Sequence, residues 1–251
     1  RNAEIIKNAR LRFLRSSSSS LPGPVMTQLA ETFGAPVVEA YGMTEAAHQM
    51  CCNPIEPGKQ KPGAVGLPAG PEVRIAHEIE NRLVNGIGEI AISGPNVTPG
   101  YEGNPEANVK NFFEAEGKRW FRTGDQGAFD AEGYLTLTGR LKELINRGGE
   151  KISAAEIETC ILDMSGVLEA AAFAMADPLL GEVVGLAVHG QAASLPQVEQ
   201  IRNFIADRLA AYKVPAQVYR SLEPLPRNAT GKVLKRELRK QFVGSNAPAI
   251  T

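Results

Sequence analysis

The chain has 251 residues, of which 43% are hydrophobic and 22% are charged, and this is typical of a soluble globular protein with a substantial core. Its formal net charge of -1 argues against a nucleic-acid-binding protein, because such proteins normally carry a clear excess of basic residues. No apolar run approaches the length of a transmembrane helix, so we expect no membrane span.

The cysteines and the chain ends bear on the cellular compartment. Three cysteines, two of them adjacent, form neither a disulfide framework nor a zinc-ligand pattern, which favours a reducing environment. The final residues Ala-Ile-Thr are not a peroxisomal Ser-Lys-Leu signal, so we predict a cytoplasmic location. The chain opens at Arg1 without a methionine, and we expect further sequence to precede it. The sequence leaves the oligomeric state open.

The first predicted elements are a helix and a strand. Apolar residues recur at four-residue spacing from Val25 to Phe33 and predict one face of a helix that ends at Gly34. A short strand should begin at Val37 and end in a loop at 41–45.

A change of pattern at residue 62 predicts a β-rich region. Short apolar runs are separated by Gly, Pro and Asn clusters, and the predicted strands are 73–76, 89–93 and 135–138. We expect a small, mostly antiparallel β-subdomain that ends at Gly139.

Beyond Gly139 the predicted strands and helices alternate. Ser153-Ala-Ala-Glu156 is a capping box that should open a helix, and apolar runs at 168–175 and 183–189 predict strands. Apolar residues at helical spacing predict two more helices, which carry Val198, Ile201, Ile205 and Leu209 and then Val233, Leu234, Leu238 and Phe242. The alternation predicts a compact α+β domain with its boundary between Gly139 and Lys142.

Four short segments identify a family. They are Tyr41-Gly-Met-Thr-Glu45, Thr123-Gly-Asp125, Gly139-Arg-Leu-Lys-Glu143 and Pro226-Arg-Asn-Ala-Thr-Gly-Lys232. In this order they resemble the adenylate-forming superfamily of acyl-CoA synthetases, peptide-synthetase adenylation domains and luciferases, and the resemblance covers essentially the whole chain. It implies an α/β and α+β fold, in which residues 1–139 are the C-terminal portion of a large AMP-binding domain and residues 140–251 are a small mobile domain.

The resemblance implies an ATP-dependent acid–CoA ligase. Such an enzyme joins a carboxylate to ATP as an acyl-adenylate with release of pyrophosphate, and then forms a thioester with CoA and releases AMP. The implied partners are therefore small molecules, namely ATP, Mg²⁺, CoA and a carboxylic acid.

The resemblance also implies which residues contact the nucleotide, namely Tyr41, Gly42, Thr44, Asp125, Arg140 and Lys232. A hydroxyl beside a carboxylate, at Thr44 and Glu45, suits the binding of a phosphate oxygen and of Mg²⁺. Tyr41 offers a flat face for adenine, and the Asp125 carboxylate can accept hydrogen bonds from the ribose hydroxyls. The alternatives are a capped glycine turn at 41–45, a turn aspartate at 125 and a surface ion pair between Arg140 and Glu143.

The remaining motif residues are implied to act in the two half-reactions. With Thr44 and Glu45, Lys232 is an implied catalytic residue that bridges the acid and the α-phosphate of ATP during adenylation. Lys142 occupies the hinge position about which the C-terminal domain rotates. The implied CoA-binding residues are Gly148, Gly149, Glu150 and Lys151. The alternatives are one more solvated lysine at 232 and a plain glycine turn at 148–149.

The identity of the carboxylic acid substrate is inferred from similarity in short segments and from the chemistry of two pocket residues. Within the superfamily, the amino-acid sequence most resembles ligases of the oxalate–CoA type over four segments, namely 61–66, 94–98, 104–108 and 143–153. Ser18 and His48 lie at superfamily positions that line the acyl pocket, where a hydroxyl and an imidazole could hold a second carboxylate. A polyserine run is also typical of a flexible loop, and a lone histidine of a structural hydrogen bond.

Two other functions stay open at this point. The first is a ligase for another acid, namely a medium- or long-chain fatty-acyl, aryl or malonyl CoA ligase, which in the fatty-acyl case would belong to fatty acid metabolism. The second is a non-catalytic fragment that only binds a nucleotide or a partner. The superfamily's Ser/Thr/Gly-rich loop for the terminal phosphates of ATP lies upstream of these motifs and is not found in the 251 residues.

Overall fold

The computed structural model describes residues 3–17, 21–56, 58–228 and 231–243. The chain forms two compact units, Arg1–Leu141 and Lys142–Thr251. This division falls inside the segment in which the sequence places the domain boundary. Ser18, a predicted pocket residue, lies outside the described residues.

The first part of unit 1 is a small mixed sheet with two helices. Its elements are α1 (Ala3–Asn8), β1 (Leu14–Ser16), α2 (Gly23–Phe33), β2 (Val37–Met43), β3 (His48–Cys52) and β4 (Leu67–Pro68). The strand order is β1-β2-β3-β4, with β1 parallel to β2 and the other pairs antiparallel. The helix α2 is confirmed, and Gly34 ends it with a left-handed φ of 58°.

Two details of this region differ from the prediction. The face of α2 that is buried carries Met26, whereas Val25 is 41% exposed. The predicted loop at 41–45 is wrong, because Tyr41 and Gly42 continue β2 and only Thr44–Ala46 leaves the strand, as a 3₁₀ turn. The strand continues because β3 pairs with β2 as far as Met43.

The second part of unit 1 is the predicted antiparallel β-subdomain. Its elements are β5 (Glu72–Ala76), β6 (Leu83–Val84), β7 (Gly88–Ser93), α3 (Pro105–Asn111), β8 (Phe112–Ala115), β9 (Lys118–Phe129) and β10 (Leu135–Arg140). The strand order is β10-β9-β7-β5-β6, and β8 pairs with β9. The three predicted strands are confirmed, but the sequence did not predict the 12-residue β9. Buried side chains from both sheets, including Met50 and Phe121, share one core.

Unit 2 is a five-stranded sheet with helices on both faces. Its elements are β11 (Ile145–Arg147), β12 (Glu150–Ile152), α4 (Ala154–Leu162), β13 (Glu169–Asp177), β14 (Gly181–His189), α5 (Val198–Ala206), β15 (Gln217–Ser221) and α6 (Lys235–Val243). The strand order is β12-β11-β14-β13, and β15 pairs with β14 in parallel. Successive residues of β13 point to opposite faces, so Ala172 packs with α4 and α5 while Phe173 packs with Leu238 of α6.

The helices of unit 2 begin close to their predicted starts. Ser153 caps α4, since its hydroxyl accepts a 3.2 Å hydrogen bond from the backbone N–H of Glu156. Three apolar residues that were predicted to be helical are not. Leu209 follows the end of α5, and Val233 and Leu234 precede α6, yet Leu209 and Val233 each pack against a buried cluster of their unit.

No helix among the described residues has both the length and the apolar composition required to cross a bilayer.

Candidate functional site

Two of the motifs meet through one buried hydrogen bond. The Tyr41 hydroxyl donates to Oδ2 of Asp125 at 2.6 Å, across 84 positions of sequence. The two residues are only 8% and 7% exposed, and Tyr41 also packs in the shared core of unit 1. Burial and the Asp125 carboxylate hold the pKa of Tyr41 well above its ordinary value, so the hydroxyl stays protonated and remains a donor. The free ring face of Tyr41 is correspondingly small.

A bulge in β9 directs Asp125 toward Tyr41. Glu89 of β7 pairs with Gln126, whereas Ala91, two positions further along β7, pairs with Arg122, four positions away on β9. The stretch 123–125 therefore holds two more residues than the facing strand. Bulges of this kind redirect side chains and often lie beside functional sites. The alternative of a turn aspartate is wrong, because Asp125 belongs to the strand.

Buried polar groups hold the bulge in place. Gly124 adopts a left-handed φ of 74°, which favours glycine, and its N–H donates to the Glu89 carboxylate at 3.0 Å. Thr123 donates from its hydroxyl to the carbonyl of Ile90 at 2.9 Å. The Glu89 carboxylate pairs in turn with the Arg122 guanidinium at 2.6 Å, with both side chains 10% exposed or less. The hydroxyl and N–H donors of the bulge are thus paired with acceptors, and the buried carboxylate is paired with a cation.

Arg140 completes the surroundings of Asp125. Its Nε donates to Oδ1 of Asp125 at 2.8 Å, and the Arg140 side chain is 52% exposed. Each carboxylate oxygen of Asp125 thus accepts one hydrogen bond from the protein and retains one lone pair. A vicinal diol could use those two remaining acceptor positions.

The 3₁₀ turn at Thr44–Ala46 is clamped by the loop after β7. The Tyr101 hydroxyl donates to Oε1 of Glu45 at 2.7 Å, and the N–H of Thr98 donates to the Glu45 carbonyl at 2.7 Å. Burial, with the Glu45 carboxylate beside it, raises the pKa of Tyr101 to about 12, so this donor is protonated at neutral pH. The Thr44 side chain beside Glu45 is exposed.

The Glu45 carboxylate suits a magnesium ion of the kind that nucleotide-dependent enzymes bind together with phosphate. The Tyr101 bond engages Oε1 of Glu45, which leaves Oε2 for a ligand role. No group of three or more His, Cys, Asp and Glu side chains suited to a metal occurs among the described residues. Mg²⁺ is commonly held by one or two carboxylates together with phosphate oxygens and water, so a single glutamate agrees with that mode.

His48, the other predicted pocket residue, begins β3 in an unusual conformation. Its φ is 88° and that of Ala47 is 50°, values that side chains other than glycine rarely adopt. Nε2 of His48 lies 3.3 Å from both terminal nitrogens of Arg15, and one of these also donates to Gln49 at 3.2 Å. A guanidinium can only donate, so Nε2 of His48 is the acceptor in this contact.

In unit 2, the predicted CoA-binding residues form a hairpin turn. Gly148 and Gly149 connect β11 to β12 with left-handed φ values of 59° and 97°. Two consecutive positive φ angles are the signature of a tight hairpin turn that glycine fills without strain. The following Glu150 and Lys151 side chains are exposed on β12.

Lys232 lies in a loop whose base is closed by hydrogen bonds. Its N–H donates to the side chain of Asn228 at 2.9 Å, and its carbonyl accepts from the Asn228 N–H at 2.9 Å. Its ammonium is 3.5 Å from the carboxylate of Glu143, and its side chain is 51% exposed. Lys142, the predicted hinge residue, lies beside Glu143 in the 3₁₀ turn Leu141–Glu143. The backbone of Lys232 is therefore anchored while the side chain remains accessible.

The structure also identifies supporting residues that the sequence did not single out, namely Arg15, Glu89, Tyr101 and Arg122. They carry no motif of their own, and their partners lie between 33 and 56 positions away in the chain. Only the fold brings these pairs together. The one signal in the sequence that could have identified such a residue is Glu89, a charged residue within the otherwise apolar strand β7, which the structure shows to be buried.

Comparison with known proteins places this geometry in a family. Residues 3–102 match the family described as AMP-binding enzyme, and residues 156–232 match the AMP-binding enzyme C-terminal domain. The chain is 47% identical to the oxalate–CoA ligase of Saccharomyces cerevisiae over 94% of this chain and 43% of that protein. It is 46% identical to the oxalate–CoA ligase of Arabidopsis thaliana over 93% of this chain and 45% of that protein.

A solved structure is also similar. The crystal structure of ATP-bound MatB from Rhodopseudomonas palustris matches with a TM-score of 0.84 and 31% identity, over 93% of this chain and 46% of that one. This likeness confirms the predicted fold class. The chain spans less than half the length of the relatives it matches.

Proposed function

Because the chain belongs to the family of AMP-binding enzymes, we propose that the full-length protein is an AMP-forming acid–CoA ligase. In the first half-reaction a carboxylate oxygen attacks the α-phosphorus of ATP, and the bond to pyrophosphate breaks. In the second, the CoA sulfur attacks the acyl carbon of the adenylate and AMP leaves with the phosphate oxygen. The thiol proton passes to solvent or to AMP.

One observation carries this proposal. The 2.6 Å hydrogen bond between Tyr41 and Asp125 joins the two motifs that the superfamily uses for the nucleotide. Held by Tyr41 and Arg140, the Asp125 carboxylate is fixed with one free acceptor position on each oxygen. We assign these positions to the two ribose hydroxyls. Fixing the ribose in this way would orient the α-phosphate for attack.

The phosphate end is assigned to the clamped 3₁₀ turn. The Thr44 hydroxyl would donate to a phosphate oxygen, and Gly42 keeps the backbone close to β3, where a Cβ would lie 1.7 Å from the His48 carbonyl oxygen. Glu45, oriented by Tyr101, would hold Mg²⁺. When bound, this ion neutralises negative charge on the phosphates of ATP.

Unit 2 supplies residues to both half-reactions in this proposal. We assign Lys232 to the first, in which its ammonium would stabilise charge on the acid and the α-phosphate. The glycine turn of Gly148 and Gly149 is assigned to the second, in which it would admit the thin pantetheine arm of CoA. Lys142 is assigned the hinge role between the two steps.

The substrate acid that we propose is oxalate. Support comes from the 47% and 46% identity to two proteins named oxalate–CoA ligase. It also comes from the polar character of His48, which is exposed and hydrogen-bonded to Arg15. A long apolar chain would gain little from such neighbours, whereas a small dianion would gain hydrogen bonds.

The test is CoA-dependent AMP release by the full-length protein with oxalate, malonate, octanoate and palmitate offered in parallel. Turnover confined to oxalate supports the whole proposal. Turnover confined to octanoate and palmitate would retain the reaction and overturn the acid. Release of neither pyrophosphate nor AMP with any of the acids would overturn the enzymatic proposal in favour of a binding role.

A further inference from the structure

Arg15 is a cation beside the candidate acyl pocket, and its described partners are an imidazole and an amide. It lies on β1, immediately before the serine run, and its guanidinium contacts the imidazole of His48 and the amide of Gln49. No carboxylate among the described residues forms an ion pair with it. The side chain is exposed, so the guanidinium still has N–H groups that can bind an anion.

The strained backbone at Ala47 and His48 is what permits this contact. Two successive left-handed residues other than glycine are costly, on the order of 1 kcal/mol each. They turn the chain sharply between the 3₁₀ turn of Glu45 and strand β3, where His48 then faces Arg15. Strain of this kind tends to occur at ligand sites, where the surrounding structure holds it in place.

The contact also determines how His48 meets a ligand. Since Nε2 accepts from Arg15, Nδ1 is the ring nitrogen that can donate to a ligand. In this arrangement the imidazole supplies one hydrogen bond to an anion. The Arg15 guanidinium behind it supplies a permanent positive charge that can compensate a second carboxylate.

We propose that Arg15 is a specificity-determining residue that selects acids with a second negative charge. This inference rests on the proposed function and deepens it, because it assigns the charge of the acyl pocket to one side chain. A planar guanidinium suits a carboxylate through two parallel hydrogen bonds, and it remains charged at every physiological pH.

The test compares a dianion with a monoanion of nearly the same shape. In oxamate a neutral amide replaces one carboxylate of oxalate. The full-length protein and its Arg15→Gln variant are compared for kcat/KM with oxalate and for the inhibition constant of oxamate as a competitor of oxalate. We expect Arg15→Gln to lower kcat/KM for oxalate about 10- to 100-fold, because an ionic hydrogen bond is lost, and to change the oxamate constant less than about threefold.

Two further variants separate charge from structure. Arg15→Lys keeps the cation and should recover most of the oxalate kcat/KM. Arg12→Gln removes a neighbouring exposed arginine, whose described contact is the ring of Phe13, and should leave both constants unchanged. Thermal melting checks that each variant is folded.

The outcomes distinguish this inference from the function on which it rests. Wild-type turnover of oxalate with equal losses for oxalate and oxamate in Arg15→Gln would overturn the role of Arg15 alone. Wild-type protein that fails to turn over oxalate would overturn both the choice of acid and the role of Arg15.

Discussion

The Lys232 ammonium lies 3.5 Å from the carboxylate of Glu143, in a pair whose side chains are 51% and 37% exposed. Exposed pairs of this kind contribute less than about 1 kcal/mol to stability, because water screens both charges. Lys232→Ala should therefore leave the melting temperature almost unchanged. It should slow adenylation about 100-fold or more, since a cation beside two reacting anions is lost. Pyrophosphate release in the presence of oxalate measures the effect.

A matched control exists on the neighbouring helix. Lys240→Ala removes an exposed lysine of α6 and should affect neither melting nor pyrophosphate release. Normal pyrophosphate release by Lys232→Ala would refute the assignment of this lysine to adenylation.

The Tyr41 hydroxyl can be tested by a substitution that removes only one oxygen. Tyr41→Phe leaves the buried Asp125 carboxylate with one donor fewer, and we expect a loss of about 1 to 2 kcal/mol in the free energy of unfolding. The KM for ATP should rise about 3- to 10-fold, because Asp125 is less firmly oriented. Urea unfolding and steady-state kinetics measure the two effects.

Tyr134→Phe is the corresponding control. Tyr134 is 8% exposed as a whole residue, as Tyr41 is, and its hydroxyl donates to the carbonyl of Lys59 at 2.9 Å and not to Asp125. This variant should lose stability to a similar degree and keep the wild-type KM for ATP. Equal changes in KM for the two variants would show that Tyr41 acts only through general stability.

Glu158 of α4 predicts a pH dependence of stability. Burial raises its pKa above the ordinary 4.5, against the opposing effect of Lys235, whose ammonium is 2.7 Å away. A raised carboxyl pKa in the folded state means that folding favours the protonated form. The associated stability is fully present below the unfolded pKa and is lost as pH rises through the folded pKa.

Comparison with Glu158→Gln isolates this contribution, because glutamine does not titrate. The difference in the free energy of unfolding, wild type minus Glu158→Gln, should increase as pH falls from about 7 to about 5. Chemical denaturation followed by circular dichroism measures it. A difference that shrinks toward acid pH would mean that the ion pair with Lys235 outweighs burial.

The glycine turn between β11 and β12 allows the half-reactions to be separated. A Cβ at Gly149 would meet no atom within 4 Å, so Gly149→Val costs mainly the strain of a positive φ, about 1 to 2 kcal/mol. Pyrophosphate release should be spared and thioester formation slowed. Gly86→Val, at φ 88° with equally open surroundings, should cause similar strain and leave both half-reactions intact. Equal damage to both steps in Gly149→Val would contradict the assignment.

The sequence predicted those helix ends that are fixed by residues at the end itself. The stop of α2 at Gly34 follows from the freedom of glycine at positive φ, and the start of α4 follows from the Ser153 hydroxyl and the N–H of Glu156. Strands β13 and β14 were predicted from the apolar runs at 168–175 and 183–189, and the structure buries most residues of both strands on both faces of the sheet. The motif order identified the family.

The sequence alone therefore determined the fold class, the family, and the three helices and two of the five strands of unit 2. Only the tertiary structure decided the bulge that directs Asp125 toward Tyr41, the clamp of Tyr101 on Glu45 and the contact between Arg15 and His48. Each of these depends on the pairing of strands or the packing of the two sheets and their loops, which brings together residues tens of positions apart. Hydrophobic periodicity reports which face of an element is buried, but it carries no information on which polar groups meet across the sheet.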